Sequence, residues 1–174
     1  MAPGGPLASA TQKFLFAMRE VTKLLATICC GVFFGAALYI SLVQHPATLE
    51  TGTDFALRFF PPMYGRAAIM QASLAVVGCA AAIGAWLSGA GRWWLVAAVF
   101  LGSVVPFTLV VLMPVNDALF QGGNFSSVEV GALLIRWGYL HWARTVASGL
   151  AFISCLAGFR GAVAGVASDQ TRQV

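Results

Sequence analysis

The chain has 174 residues, of which 59% are apolar and 9% charged, with a mean hydropathy of +0.84. Soluble domains carry about 25% charged residues, so ten bases and six acids are too few to coat a surface of this size in water. A soluble enzyme, a disordered chain and a nucleic-acid-binding domain are excluded, the last because the net charge of +4 is spread thinly, and what remains is an integral membrane protein of one domain.

Residues 1–23 read as a flexible small-residue start, MAPGGPLASA, and a basic amphipathic lead-in from Thr11 to Lys23. No cleavable signal peptide is evident, because the apolar run that follows is too long and lacks a small-x-small exit. Leu24–Leu49, Ala67–Gly91 and Trp93–Asn116 contain no Lys, Arg, Asp or Glu. Each exceeds the ~20 residues that cross a hydrocarbon core of ~30 Å. These predict spans at about 24–45, 66–89 and 93–114, with a fourth at about 138–159.

Gly31 and Gly35 form a GxxxG pair in the first span, and Ala80, Gly84 and Ser88 repeat small-xxx-small spacing in the second. Close packing inside the bundle is the plain reading; a homo-oligomer through Gly31 and Gly35 is the alternative. Pro106 sits mid-span in the third helix, where it should kink the chain and free the Gly102 carbonyl. After Gly122-Gly123-Asn124-Phe125, the run Ser126-Ser127-Val128-Glu129 fits a capping box. The fourth helix is therefore expected to start outside the membrane and to exceed thirty residues.

Only fifteen uncharged residues separate Arg144 from Arg160, which covers about 22 Å at ~1.5 Å each. Either the fourth span takes in His141 and Arg144 at depth, or it runs past Arg160 into Gly161–Ala167. The glycine-rich sequence there favours the first. Residues 161–174 are left as a tail. The expected architecture is all-α, an integral membrane four-helix bundle of up-down-up-down order over residues 24–160, with a long fourth helix extending beyond the membrane.

Lys13, Arg19, Lys23, Arg92, Arg160 and Arg172 fall on the side shared by both termini, against Arg58, Arg66, Arg136 and Arg144 on the other. Six bases against four place both termini in the cytoplasm, in the plasma membrane of a bacterium or the endoplasmic reticulum or another endomembrane of a eukaryote. Asn124-Phe125-Ser126 is a glycosylation sequon that matters only in the second case. Cys29, Cys30, Cys79 and Cys155 all lie in spans without a CxxC pair, which reads as small apolar filling rather than thiol–disulfide chemistry. No phosphate loop, HExxH, carboxylate pair or Ser/His/Asp set is present.

The informative residues are the polar ones that meet in one membrane half. His45 stands at the end of the first span and Arg66 and Gln71 at the start of the second. Asn116 ends the third. Trp137, His141 and Arg144, spaced four and three apart, share a face of the fourth. Intramembrane ionisable groups normally face a bundle interior and mark a site. Each also has a plainer reading: Arg66 and Arg136 as snorkelling anchors, Asn116 as a turn former, Trp137 and Trp142 as belt residues.

The stretch from Gly35 to Tyr39 through His45-Pro46-Ala47, then Pro106-Phe107-Thr108 with Pro114-Val115-Asn116-Asp117-Ala118-Leu119, then W-x3-H-x2-R from Trp137 to Arg144, resembles three blocks of the anthrone oxygenase-like membrane family in order. With the intervening spans they cover about residues 31–158. The resemblance implies a four-helix membrane protein. Its characterised fungal members oxidise anthrones to anthraquinones with molecular oxygen and no identified organic cofactor, while many other members have no assigned activity. The matching positions are His45, Asn116, Trp137, His141 and Arg144, whereas Arg66, Tyr64 and Gln71 rest on topology alone.

An anthrone is a tricyclic ketone with an acidic benzylic C–H, and its anion is electron-rich enough to reduce oxygen. That chemistry asks for a base, a partner for the oxyanion and a dry aromatic pocket. His141 or His45 is expected as the base, with Arg144 and Asn116 on the oxyanion. Trp137, Tyr39 and Phe107 are expected to wall a pocket reached from the bilayer, with Arg66 and Gln71 also on the substrate. Two rivals remain at this stage. One is a haem or copper site ligated by His45 and His141. The other is a non-enzymatic binding or transport protein for lipophilic molecules, or a structural partner of another membrane protein, although no internal repeat supports a transporter.

Overall fold

A computed structural model describes residues 6–171, with side chains over 10–160, and its described residues are helical almost throughout with no strand among them. The elements are α1 (Pro6–Tyr39), α2 (His45–Glu50), α3 (Thr53–Leu87), α4 (Arg92–Phe107), α5 (Met113–Phe120) and α6 (Ser127–Thr171). Two π-helical segments, Ile40–Gln44 and Thr108–Leu112, join α1 to α2 and α4 to α5 without breaking the rod. Among the described residues four continuous helices are long and apolar enough to cross a membrane: Ala10–Glu50, Thr53–Leu87, Arg92–Phe120 and Ser127–Arg160.

Of the flexible start expected over 1–10, residues 1–5 lie outside the described residues and Pro6–Ala10 is helical, continuous with the lead-in. The helices also reach beyond the predicted spans. α3 takes in Pro61-Pro62, and α6 is 45 residues long and carries on past Arg160 to Thr171, so the glycines of 161–165 do not end it. The capping box forms as the sequence predicts. Ser126 donates its backbone N–H to Glu129 Oε2 at 2.8 Å, and Glu129 N–H returns to Ser126 Oγ at 3.4 Å. At the turns, Gly52 (φ 98°) and Gly91 (φ 103°) precede Thr53 and Arg92 in a backbone region that disfavours side chains.

The helices pack in a ring, α1 on α3 and α6, and α4 on α3 and α6. In lipid such packing rests on close fit rather than on expelling water. A Cβ at Gly78 would come within 2.7 Å of both Cys29 Cβ and Leu101 Cδ2, so α1, α3 and α4 meet there at the limit of contact. Gly31 lies against the Phe152 ring of α6, while Gly35 has nothing within 4 Å. The GxxxG pair is therefore divided between an inward and an outward position. Cys30 and Cys155 bring their sulfurs to 3.8 Å across α1 and α6. Outward positions are strongly apolar: Ile69 and Val110 are each 74% exposed.

Two apolar clusters fill the interior. One centres on Phe33, Trp94, Leu101 and Cys155, the other on Phe60, Leu112, Leu134 and Trp137. Gln71, His141 and Arg144 share a cavity wall with members of both clusters, Phe33, Ala75 and Val104 of the first and Ile40 and Trp137 of the second.

Candidate functional site

Trp137, His141, Arg144, Thr145 and Ser148 are all buried. Their offsets of four, seven, eight and eleven residues put them on one stripe of α6. Opposite this stripe stand the two π segments, each immediately upstream of a proline. Pro46 and Pro114 lack an N–H, and their rings crowd the carbonyl four residues back. The chain relieves this by widening: the His45 N–H bonds Ile40 O and the Met113 N–H bonds Thr108 O, five residues back in each case. Pro106, by contrast, is carried inside α4, and the departure from α geometry begins two residues later, at Thr108. Ser41, four residues after the fully buried Ala37, continues the inward stripe of α1 and is 7% exposed.

A cavity of about 270 Å³ opens between α1, α3, α4 and α6. Its wall is apolar over Phe33, Ile40, Met63, Ala75, Val104 and Leu109, and polar at His141, Arg144, Gln71 and Tyr64. Arg144 is 8% exposed and donates from Nη2 to Gln71 Oε1 at 2.8 Å. Its guanidinium carbon lies 5.7 Å from the centre of the Phe33 ring. Arg144 Nε and Gln71 Nε2 are buried donors with no hydrogen-bond partner. Among the described residues the ion pairs join Arg19 and Lys23 to Glu20, and no carboxylate bridges Arg144. A guanidinium stays protonated, so the cavity holds a buried cation without a counter-ion.

His141 stacks on Trp137 with ring centres 4.8 Å apart, and its Nδ1 lies 3.0 Å from Ser41 Oγ. The Trp137 Nε1–H donates to Asn116 Oδ1 at 2.8 Å, and Asn116 Nδ2 rests on Met113 Sδ at 3.7 Å. His45 packs on the same indole at 5.0 Å, with its Nε2 only 2.7 Å from the point a Gly138 Cβ would occupy. Glycine at 138 is what lets the imidazole close on α6.

Of the residues singled out from the sequence, His141, Arg144, Trp137 and Gln71 come together on the cavity wall. Asn116 and His45 stand behind Trp137 instead of on that wall. Three lie elsewhere. Tyr39 is 58% exposed and borders, with Arg66, a separate surface groove between α1 and α3. Tyr39 precedes Ser41 by two residues, about 200° around a helix, so one faces out when the other faces in. Phe107 packs against the second apolar cluster and does not line the cavity. Ser41, Thr145, Phe33 and Met63 were not singled out. Thr145 carried a usable signal, being four residues after His141, and Ser41 stands four residues after Ala37 on the buried face of α1. Among the described residues no group of three or more His, Cys, Asp or Glu converges to hold a metal ion.

The sequence pattern of the anthrone oxygenase family matches residues 60–154, which include every cavity residue named above except Phe33 and Ile40. The chain is similar to anthrone oxygenase tpcL of Aspergillus fumigatus, 33% identical over 137 residues that cover 72% of this chain and 85% of that protein. Anthrone oxygenase gedH of Aspergillus terreus is 34% identical over 124 residues, 64% of this chain and 81% of the relative. Anthrone oxygenase dmxR16 of a Cryptosporiopsis species is 26% identical over 172 residues, 94% of this chain and 98% of the relative. No solved structure matches the chain.

Proposed function

Because this chain belongs to the anthrone oxygenase family, we propose that it is a membrane-embedded oxidoreductase that oxidises a lipophilic polycyclic ketone or phenol of the anthrone type with molecular oxygen. The observation that carries this reading is Arg144, a buried cation without a counter-ion on the wall of an apolar cavity. A charge in that position is costly unless a partner arrives. The anion of an anthrone supplies one, with its negative charge on the ketone oxygen. The cavity of about 270 Å³ exceeds the ~150 Å³ that holds one benzene ring, so it admits more than one fused ring.

The residues then divide the work. His141 removes the benzylic proton with its free ring nitrogen, Nε2. Arg144 and the unpartnered Gln71 amide hold the oxyanion. Phe33, Met63, Val104 and Trp137 exclude water. The electron-rich carbanion passes electrons to oxygen, a C–O bond forms at the benzylic carbon, and loss of water leaves the second carbonyl. One ketone and one oxygen molecule give one quinone and one water. Asn116 fixes the indole rather than the oxyanion, because both ends of its amide are already engaged. The substrate enters laterally from the bilayer, and both termini lie in the cytoplasm on the count of six bases against four.

The test is turnover by the purified protein in lipid nanodiscs, following quinone absorbance and oxygen uptake. His141→Ala is expected to lose about 10²–10⁴-fold in kcat. If His141→Ala kept full turnover, the assignment of the base would be wrong. Retention of an anthrone with no oxygen uptake would favour a binding protein instead.

A further inference from the structure

Behind His141, on the side away from the cavity, runs a buried chain of hydroxyls from α6 to α1. Ser41 Oγ lies 3.0 Å from His141 Nδ1 and 2.9 Å from Thr145 Oγ1. Thr145 Oγ1 donates toward two backbone carbonyls, Ala37 O at 3.3 Å on α1 and His141 O at 3.2 Å on its own helix. Thr145 is 1% exposed and Ser41 7%.

Each hydroxyl has one proton, and a carbonyl can only accept. If Thr145 gives its proton to the carbonyls, its oxygen accepts from Ser41. Ser41 has then spent its own proton and must accept from the imidazole. This is the one order that serves every contact in the chain. In the reverse order Thr145 donates to Ser41, Ser41 donates to Nδ1, and the approach to Ala37 O and His141 O carries no proton. We propose, resting on the reading of His141 as the base, that Ser41 and Thr145 are positioning residues that hold the neutral imidazole in its Nδ1–H form and so present a bare Nε2 to the cavity.

The consequence for the reaction is direct. A ring protonated at Nε2 cannot take a proton there, so the two hydroxyls decide whether the ring facing the substrate is a base or a donor. The titratable and charged groups around His141 are Arg144 on α6, His45 on α2 and Tyr64 on α3. None of these bonds Nδ1, whose hydrogen-bond neighbour is Ser41 alone among the described residues.

The chain has two histidines, so the tautomer can be read from the intact protein. The full-length chain is labelled with ¹⁵N-histidine, placed in lipid nanodiscs and examined by NMR at a pH where the ring is neutral, a His45→Phe variant assigning the two signals. The result expected for His141 is a protonated Nδ1 and an unprotonated Nε2. Ser41→Ala removes the acceptor, and Thr145→Val leaves the Ser41 proton free to turn toward Nδ1. Both move the population toward Nε2–H and lower kcat about 2- to 10-fold, the worth of one neutral hydrogen bond, with KM held. Ser41→Thr and Thr145→Ser restore the wild-type tautomer. A wild-type His141 found protonated at Nε2, or a tautomer unmoved by either variant, overturns the proposal, and the wild-type spectrum decides even if a variant fails to fold. The spectrum needs no turnover, so a protein with the expected tautomer and no anthrone oxidation would contradict the function and not the arrangement of the ring.

Discussion

Replacing Arg144 by Met separates what the guanidinium does for the reaction from what it costs the fold. In the wild type the group is 8% exposed and bonded to Gln71 Oε1 at 2.8 Å, with Nε left over. An anion about 4 Å away gains about 4 kcal/mol at an effective dielectric of ~20, which is about 10³ in rate at ~1.36 kcal/mol per decade. Loss of an oxyanion donor typically costs about 10²–10³ in kcat, the same range. Arg144→Met is therefore expected to lower kcat by about 10³ while the protein still folds, because the variant no longer buries an uncompensated charge. Part of that gain is offset by the Gln71 oxygen left without a donor, about 1–3 kcal/mol. The double variant Arg144→Met with Gln71→Leu removes this penalty and should melt at or above the wild-type temperature with no activity. Quinone formation and thermal unfolding in the same detergent measure both halves. An Arg144→Met protein that turns over within a few-fold of wild type would refute the electrostatic account.

Trp137→Phe removes the donor to Asn116 Oδ1. It should cost about 1–3 kcal/mol in thermal stability through the stranded acceptor, and Trp137→Phe with Asn116→Leu should recover part of it. Gly138→Ala puts a Cβ within 2.7 Å of His45 Nε2. Overpacking of this kind costs about 1–3 kcal/mol, whereas Gly35→Ala, with nothing within 4 Å, should stay within ~0.5 kcal/mol; the two melting temperatures compared side by side check this. Ala68→Phe fills part of the cavity from α3. It should raise KM for a tricyclic ketone at least about tenfold, the loss of about 1.4 kcal/mol of binding, with the melting temperature little changed.

The four apolar helices, the capping box at Ser126 and the convergence of Trp137, His141 and Arg144 were all legible in the sequence, because charge-free length, capping chemistry and a period of 3.6 are local properties. Gln71 was placed near the others by topology alone. What was not legible depends on contacts between helices. Ser41 continues the buried positions Phe33 and Ala37, but that it meets His141 is a contact between helices. Tyr39 was expected in the pocket and faces outward, since a resemblance block fixes a residue's position along a helix and not its rotation. Asn116 was expected at the oxyanion and instead fixes Trp137, a pairing between α5 and α6 that no spacing within one helix reveals. The helices overrun their predicted spans for a simpler reason. Charge marks where lipid ends, and α3 and α6 continue beyond that point.

The physical logic of the site is an imbalance. One half of the bundle interior is apolar filling, with Phe33, Trp94 and Leu101 fully buried. A cation without a counter-ion, an amide donor without an acceptor and an imidazole with one nitrogen engaged border the same cavity. Such groups are costly in lipid, and a polycyclic anion would satisfy the first two while giving its proton to the third.

The measurement that bears most directly on this account is turnover of an anthrone under ¹⁸O₂ by the wild-type protein and Arg144→Met in nanodiscs. One labelled oxygen is expected in the new carbonyl of each quinone, with one oxygen molecule consumed per ketone, and Arg144→Met is expected to lose both. Label absent from the product, or equal incorporation by the two proteins, would contradict it.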